Sequence, residues 1–137
     1  MADNFKYKQG LGSVGAFQSS AVPFLSSSIE IPSNTSDPIS IEFTTVTKFI
    51  IITNQSDPAS PDRPIRFGFS ANGVTGAVNN NYVVLENGET FEADFKVSRV
   101  YLISDTVHNA TGSVVAGLTG VGSEHLVNNW SGSAGVG

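Results

Sequence analysis

The chain has 137 residues, a net charge of −5 and no cysteine, and only 14% of its residues are charged, against about 25% in an average soluble domain. This length supports one domain with its own core, and the absence of cysteine excludes disulfide scaffolds and thiolate-bound metals. The acidic balance argues against nucleic acid as a partner. No apolar run approaches the length of a membrane-spanning helix, and the amino-terminal sequence lacks the apolar stretch of a secretory signal.

Small neutral polar residues supply much of the polar surface that charge supplies in other proteins. The sequence holds 18 Ser, 10 Thr and 11 Asn. A surface of this kind is desolvated at little cost when it meets a neighbouring protein, because few charges lose their hydration. The composition therefore favours a subunit of an assembly, with a monomeric β-domain as the alternative.

The two ends of the chain are predicted to form extended arms. Residues 1–28 have poor periodicity and contain three closely spaced glycines, Gly10, Gly12 and Gly15. Their spacing matches a dinucleotide-binding string, but neither a predicted strand before it nor a predicted helix after it supports phosphate binding. Residues 121–137 are rich in Gly and Ser and are predicted to form a carboxyl-terminal arm or tail. The alternative for both ends is disorder.

Alternating and continuous apolar segments predict strands in the centre of the chain. Residues 39–43, 65–69 and 91–95 alternate apolar and polar side chains, which is the pattern of a half-buried strand. Residues 47–53 and 99–104 are mostly apolar or β-branched, which suits strands buried on both faces. Shorter β-prone segments complete the set: 29–31, 82–85 and 113–118.

Turn-forming residues separate these segments. Three prolines, Pro58, Pro61 and Pro64, predict an exposed loop, and the Asn-Gly pair within residues 70–73 predicts a hairpin turn. About eight short strands result, with almost no helical periodicity. We therefore predict an all-β fold, an antiparallel β-sandwich or jelly roll, whose domain spans residues 29–120 between the two arms.

Periodicity also gives the predicted core. The predicted core residues are Ile41, Phe43, Phe49, Ile51, Phe67, Phe69, Phe91, Phe95, Tyr101, Ile103 and Val115.

The residue types that perform catalysis are scarce and poorly grouped. The two histidines, His108 and His125, fall in predicted loop or surface positions, and no nucleophile-elbow motif accompanies them. Glu92 and Asp94 share the polar face of a predicted strand, which is typical of a solvated face rather than of a glycosidase pair. We expect no enzymatic activity, no cofactor and no metal site. The alternative is calcium bound by loop oxygens of Asp57, Asp62 or residues 79–81.

Aromatic residues in the predicted arms are candidate contacts with partner proteins. Such rings are unfavourable in water, and aromatic residues are frequent anchors of interfaces. The candidate partner contacts are Phe5, Phe17, Phe24 and Trp130.

A second pattern joins an aromatic ring to amide side chains. Tyr82 directly follows Asn80 and Asn81 in a predicted turn. Jelly rolls include lectin domains, and an exposed aromatic ring beside amides suits a sugar. These three residues are therefore the candidate glycan contacts.

The two ends of the chain also resemble a known class of protein. The first stretch, MADNFKYKQGLGSVGAFQSSAVPF, resembles the amino-termini of small structural proteins in the virions of tailed bacteriophages, of the contractile-tailed type that infects marine cyanobacteria. The same group is similar in two further segments, SVVAGLTGV and the terminal NNWSGSAGVG. The centre of the chain matches only in its β-rich, Ser/Thr/Asn-rich style.

The resemblance implies a non-enzymatic virion structural protein that is assembled in the host cytoplasm, with the capsid surface as its expected place. Its expected partners are the major capsid protein or other virion proteins, together with further copies of itself; neither nucleic acid nor a membrane is expected. In this interpretation it is a decoration or cement protein that stabilises the shell. The alternatives are a neck, tail or baseplate component and a carbohydrate- or receptor-binding β-module.

Overall fold

The computed structural model describes residues 21–57, 62–76 and 80–122. Within these ranges the chain forms eight strands and one short helix. The elements in chain order are β1 (Val22–Ile31), β2 (Ile39–Glu42), β3 (Thr45–Asn54), β4 (Ile65–Gly68), α1 (Ala71–Thr75), β5 (Val83–Leu85), β6 (Thr90–Ala93), β7 (Arg99–Ser104) and β8 (Ala110–Gly122). The prediction of an all-β sandwich of about eight strands is confirmed.

The strands form two four-stranded antiparallel sheets with a nested topology. The first sheet has the order β1-β8-β3-β6, and the second sheet has the order β2-β7-β4-β5. Strands pair from the outside of the chain inwards, β1 with β8, β2 with β7, β3 with β6 and β4 with β5. Two further pairings, β8 with β3 and β7 with β4, join these pairs into the sheets. This nesting is the jelly-roll arrangement of a β-sandwich.

The core lies between the two sheets. Alternate residues of each strand point inwards, as the two-residue period of a strand requires. Burying a large aliphatic or aromatic side chain in such a core contributes about 1.5–3 kcal/mol. The main core residues are Ile31, Ile50, Ile52 and Val114 of the first sheet and Ile65, Phe67, Val100 and Leu102 of the second.

The alternating segments 39–43 and 65–69 predicted their inward face correctly, whereas the continuous segments did not. Phe43 and Phe67 are buried as predicted. In β3, however, Ile50 and Ile52 are fully buried, and the predicted Ile51 is only half-buried on the outer face. Val115 is likewise half-buried on the outer face of β8. A run that is apolar on both faces carries no signal that separates them.

The remaining predicted core residues differ in how far they are buried. Ile103 is buried, although it stands outside the core between the sheets. Phe95 is 41% exposed, which overturns its assignment to the core. Others are half-buried: Ile41, Phe49, Phe69, Phe91 and Tyr101.

A short helix replaces the hairpin turn predicted at residues 70–73. The hydroxyl oxygen of Ser70 accepts a hydrogen bond from the backbone N–H of Gly73 at 3.0 Å, so Ser70 caps the amino end of α1. Gly76 ends the helix in the left-handed conformation, with φ of 78°. The helix packs on β4 and β7 of the second sheet. The serine cap therefore outweighs the turn preference of Asn-Gly.

The sheet also extends further towards both ends than the predicted domain 29–120. Strand β1 begins at Val22, so residues 22–28 of the predicted amino-terminal arm belong to the first sheet. A register shift lies between Ser26 and Ile29, with Ser28 at φ 55°. It interrupts the two-residue alternation from which a strand is predicted. Strand β8 continues to Gly122. The rest of the predicted arms lies outside the described residues.

One buried amide joins three loops at the end of the sandwich. Asn54 is fully buried, and its side-chain nitrogen donates to the carbonyls of Arg63 at 2.9 Å and Leu85 at 3.0 Å. Its side-chain oxygen accepts from the backbone N–H of Ser56 at 3.0 Å. Among the described residues, every buried side-chain nitrogen and oxygen has a hydrogen-bond partner, as native interiors require.

Candidate functional site

The described residues form a cleft where β4 ends and β5 begins. Antiparallel pairing of Phe67 with Val83 places the residues that follow Phe67 beside those that precede Val83. The cleft has a volume of about 330 Å³. It is lined by Phe67, Gly68, Phe69, Asn80, Asn81, Tyr82 and Val83. The three predicted glycan contacts therefore lie together at one site.

A close backbone approach holds one wall of the cleft in place. The backbone N–H of Asn81 donates to the carbonyl of Gly73 in α1 at 3.1 Å. A Cβ atom at Gly68 would lie 2.8 Å from the carbonyl oxygen of Asn81 and 3.4 Å from the Cβ of Val74. Glycine at position 68 therefore allows Asn81 and the helix to approach β4 this closely.

Arg66 orients the ring of Tyr82. Its guanidinium carbon lies 4.6 Å from the centroid of the Tyr82 ring, within cation–π distance. The same guanidinium donates from Nε to a carboxylate oxygen of Asp105 at 2.5 Å and from Nη1 to the carbonyl of Thr75 at 3.4 Å. One face of the tyrosine ring is thus covered by a cation that is itself held by two partners.

Sequence reasoning did not find Arg66 or Asp105. They are 39 residues apart in the chain, and no motif links them. Alternation along β4 does place Arg66 on the face opposite Ile65 and Phe67. That pattern identifies the outer face of the strand, but it gives no information on what the guanidinium meets there.

Four phenylalanine rings form a cycle of contacts, two of them in the lining of the cleft, and we refer to them as the phenylalanine quartet. Phe67 lies 6.4 Å from Phe69 and 4.7 Å from Phe91, measured between ring centroids. Phe95 closes the cycle, at 5.8 Å from Phe69 and 6.0 Å from Phe91. These are the separations of interacting aromatic pairs. The quartet connects the cleft to the interior at Phe67 and to the surface at Phe95.

The cleft itself is uncharged. Its lining residues are aromatic, aliphatic, amide or glycine, and the neighbouring charge of Arg66 is paired with that of Asp105. Elsewhere on the second sheet, the hydrogen bond from Arg99 to the hydroxyl of Tyr101 raises the pKa of that guanidinium, which stays protonated. The lining of the cleft suits a neutral polar ligand, because no charged side chain of the lining has to lose its hydration.

The outer face of the first sheet is a second surface of interest. Here cross-strand pairing aligns Leu25 with Val115 and Val115 with Ile51. An adjacent row pairs Pro23 with Gly117 and Gly117 with Phe49. Leu25 is 73% exposed. We call this surface the outer apolar strip, and it consists of Pro23, Leu25, Phe49, Ile51 and Val115.

Phe24, a predicted partner contact, packs within the chain. Its ring meets that of Phe43 edge to face with centroids 5.0 Å apart, and it is half-buried against the core. The neighbouring Leu25 faces the opposite side of the strand and is exposed. The other predicted partner contacts lie outside the described residues: Phe5, Phe17 and Trp130.

The catalytic candidates Glu92, Asp94 and His108 are exposed, and His125 lies outside the described residues. The backbone N–H of His108 donates to the hydroxyl of Thr106. In residues 21–57, 62–76 and 80–122, no group of three or more His, Asp or Glu side chains is placed to hold a metal ion. The described part of the chain also contains no helix long and apolar enough to cross a membrane.

No protein-family model matches the chain, and no curated protein matches its sequence.

Proposed function

We propose that this chain is a non-enzymatic structural protein of a tailed-bacteriophage virion, where it decorates the capsid and stabilises the shell. Three observations support the proposal. The ends of the chain resemble small phage virion proteins, its charged fraction of 14% is low, and its jelly-roll fold occurs among viral capsid domains. A fold alone does not specify a function, so the surface of the domain has to supply the argument.

The observation that carries the proposal is the outer apolar strip. Leu25 is 73% exposed and stands in line with the half-buried Val115 and Ile51. Contiguous exposed apolar surface marks sites of interaction on soluble proteins. The strip lies on the strands of a sheet rather than in a loop, so hydrogen-bonded backbone holds its side chains in place.

In this role the strip packs on the major capsid lattice or on a second copy of the chain. Its surroundings are polar but carry little charge. Glu92 pairs with Ile51 at one side, and the hydroxyls of Thr53 and Thr90 bond to each other at 3.1 Å. An apolar centre with a polar rim is the usual anatomy of an interface. Interfaces of standard size bury about 1,600 Å², and repetition over a symmetric shell multiplies the contribution of each one.

The predicted arms extend the same interface in this proposal. They reach across neighbouring subunits, with Phe5, Phe17 and Trp130 filling apolar pockets of the partners. The protein folds in the host cytoplasm and ends in the virion, on the capsid surface. A neck, tail or baseplate position is the alternative within the same class.

Quantitative mass spectrometry of purified virions tests the proposal. A copy number close to that of the major capsid protein, or a simple fraction of it, supports decoration of the shell. A copy number of a few per particle moves the protein to the neck, tail or baseplate. Absence from the particles overturns the virion proposal altogether.

A binding assay with empty capsids tests the strip itself. We expect Leu25→Asp to abolish co-sedimentation with capsids, because a charge then faces an apolar partner surface. Val107→Asp is the matched control, since Val107 is 65% exposed and lies in the loop before β8, away from the strip. If both variants bind like the original protein, the strip is not the docking surface.

A further inference from the structure

We propose that the cleft between β4 and β5 binds a neutral saccharide, with one sugar ring seated against Tyr82. This inference does not rest on capsid attachment, because the cleft belongs to the second sheet and the outer apolar strip belongs to the first. A decoration protein that carried such a site would present it to the surroundings of the particle.

The first argument is the prepared aromatic surface. Tyr82 lines the cleft while Arg66 covers the ring at 4.6 Å. Arg66 is fixed in turn by Asp105. A ring that is held before the ligand arrives loses little conformational entropy on binding. The apolar C–H face of a sugar suits the electron-rich face of an aromatic ring.

The second argument is the placement of amides beside that ring. Asn80 is exposed, Asn81 is half-buried, and both line the cleft. An amide side chain offers two N–H donors and a carbonyl acceptor, which is the combination that pairs with the adjacent hydroxyls of a sugar. Gly68 keeps this wall close to β4, because a Cβ there would collide with the carbonyl of Asn81.

The third argument is charge and size. No lining residue is ionisable apart from the phenol of Tyr82, so the cleft has no cation to pair with a phosphate or a carboxylate. Its volume of about 330 Å³ is at the lower end of the range of about 300–1,000 Å³ for ligand pockets. These properties favour a neutral mono- or disaccharide over an anion, a peptide or a long chain.

Titration of the full-length protein with neutral sugars tests the inference directly. ¹⁵N–¹H correlation spectra are recorded with glucose, galactose, mannose and N-acetylglucosamine at up to about 100 mM, a range that detects millimolar dissociation constants. We expect at least one sugar to shift the backbone amides of Gly68, Asn81 and Val83 in a saturable manner. No saturable shift with any of them, or shifts confined to other residues, overturns the proposal.

Variants test the role of the ring. We expect Tyr82→Ala to weaken binding of the sugar at least tenfold and Tyr82→Phe to change it less than threefold, because phenylalanine keeps the aromatic face. Val107→Ala is the control away from the cleft and leaves the affinity unchanged. If Tyr82→Ala fails to fold, Asn80→Ala replaces it, since Asn80 is exposed and its truncation removes only an amide.

The pattern of results separates this inference from the proposed function. Binding that Tyr82→Ala leaves intact overturns the inference, as does binding of anionic glycans alone on a glycan array. Capsid co-sedimentation of Leu25→Asp reports on the strip and is independent of the sugar. A protein that binds capsids but no sugar retains the first proposal and loses the second.

Discussion

The ring of Phe24 in β1 meets the ring of Phe43 just after β2 edge to face, with their centroids 5.0 Å apart. Strand β1 is the edge of the first sheet and β2 is the edge of the second. The pair therefore closes one side of the sandwich. Towards the opposite side, Phe67 of β4 and Phe91 of the edge strand β6 also join the two sheets, in a tilted pair with centroids 4.7 Å apart.

The contact between Phe24 and Phe43 predicts that truncation of Phe24 lowers the free energy of unfolding, whereas truncation of its neighbour Leu25 leaves it nearly unchanged. We expect Phe24→Ala to lower the free energy of unfolding by about 2 kcal/mol, somewhat less than the truncation of a fully buried phenylalanine, because the ring is half-buried. Leu25→Ala should change it by less than about 0.5 kcal/mol, because the side chain is exposed. Urea unfolding followed by circular dichroism measures both. Equal losses in the two variants would contradict the assignment of Phe24 to the inside and Leu25 to the outside.

Three strands, β4, β1 and β3, show why sequence patterns located most of the strands but neither all of their bounds nor all of their buried faces. Alternation in Ile65 to Phe69 identified both the strand and its buried face. In β1 the serines before Ile29 shift the register and break the alternation, so only residues 29–31 are predicted as a strand and residues 22–28 are assigned to an arm. In β3 the run from Phe49 to Ile52 is apolar on both faces, and only the packing of the second sheet on one of them decides which face is inside.

The candidate site was predicted in part for a similar reason. Asn80, Asn81 and Tyr82 are neighbours in the chain, so composition alone was enough to group them. Arg66 and Asp105 come from β4 and from the loop after β7, and their contact exists only because those two strands pair. Long-range contacts of this kind depend on the topology and leave no local pattern in the sequence.

Buried Asn54 predicts a specific loss of stability. Asn54→Ala leaves the carbonyls of Arg63 and Leu85 and the N–H of Ser56 without their partner. Each unpaired buried group costs about 1–3 kcal/mol, so we expect a loss of about 3 kcal/mol or more in urea unfolding. The control is Asn80→Ala at an exposed amide, which should stay within about 0.5 kcal/mol of the original protein.

A charge at the same position adds a dependence on pH. Asn54→Asp keeps the acceptor for Ser56 but removes the two donated hydrogen bonds and buries a carboxylate. Burial raises the pKa of that carboxyl in the folded state above its unfolded value. Between the two pKa values the unfolded state binds fewer protons than the folded state. The free energy of unfolding of the variant therefore falls as the pH rises towards neutral. Unfolding midpoints that fall with pH no faster than in Asn54→Ala would contradict this expectation.

The contact between Arg66 and Tyr82 predicts an energetic coupling. In a double-mutant cycle of Arg66→Ala and Tyr82→Ala, we expect a coupling of about 0.5–1 kcal/mol in the free energy of unfolding, the range of a partly exposed cation–π pair. Arg99 donates to Tyr101 instead, so a cycle of Arg99→Ala with Tyr82→Ala should be additive. Equal couplings in the two cycles would show that the guanidinium of Arg66 has no particular effect on the ring.

Gly68 predicts how the wall of the cleft is kept in place. A methyl group at this position would lie 2.8 Å from the carbonyl oxygen of Asn81, a backbone atom that cannot rotate away like a side-chain end. We expect Gly68→Ala to lower the free energy of unfolding by about 1–3 kcal/mol, as overpacking does, and to shift the amide resonances of Asn81 and Gly73, which share a backbone hydrogen bond. Under the two proposals above, this displacement should weaken the binding of a saccharide in the cleft and leave co-sedimentation with capsids unchanged. A variant that unfolds at the same urea concentration and gives an unaltered spectrum would show that Asn81 does not approach β4 this closely.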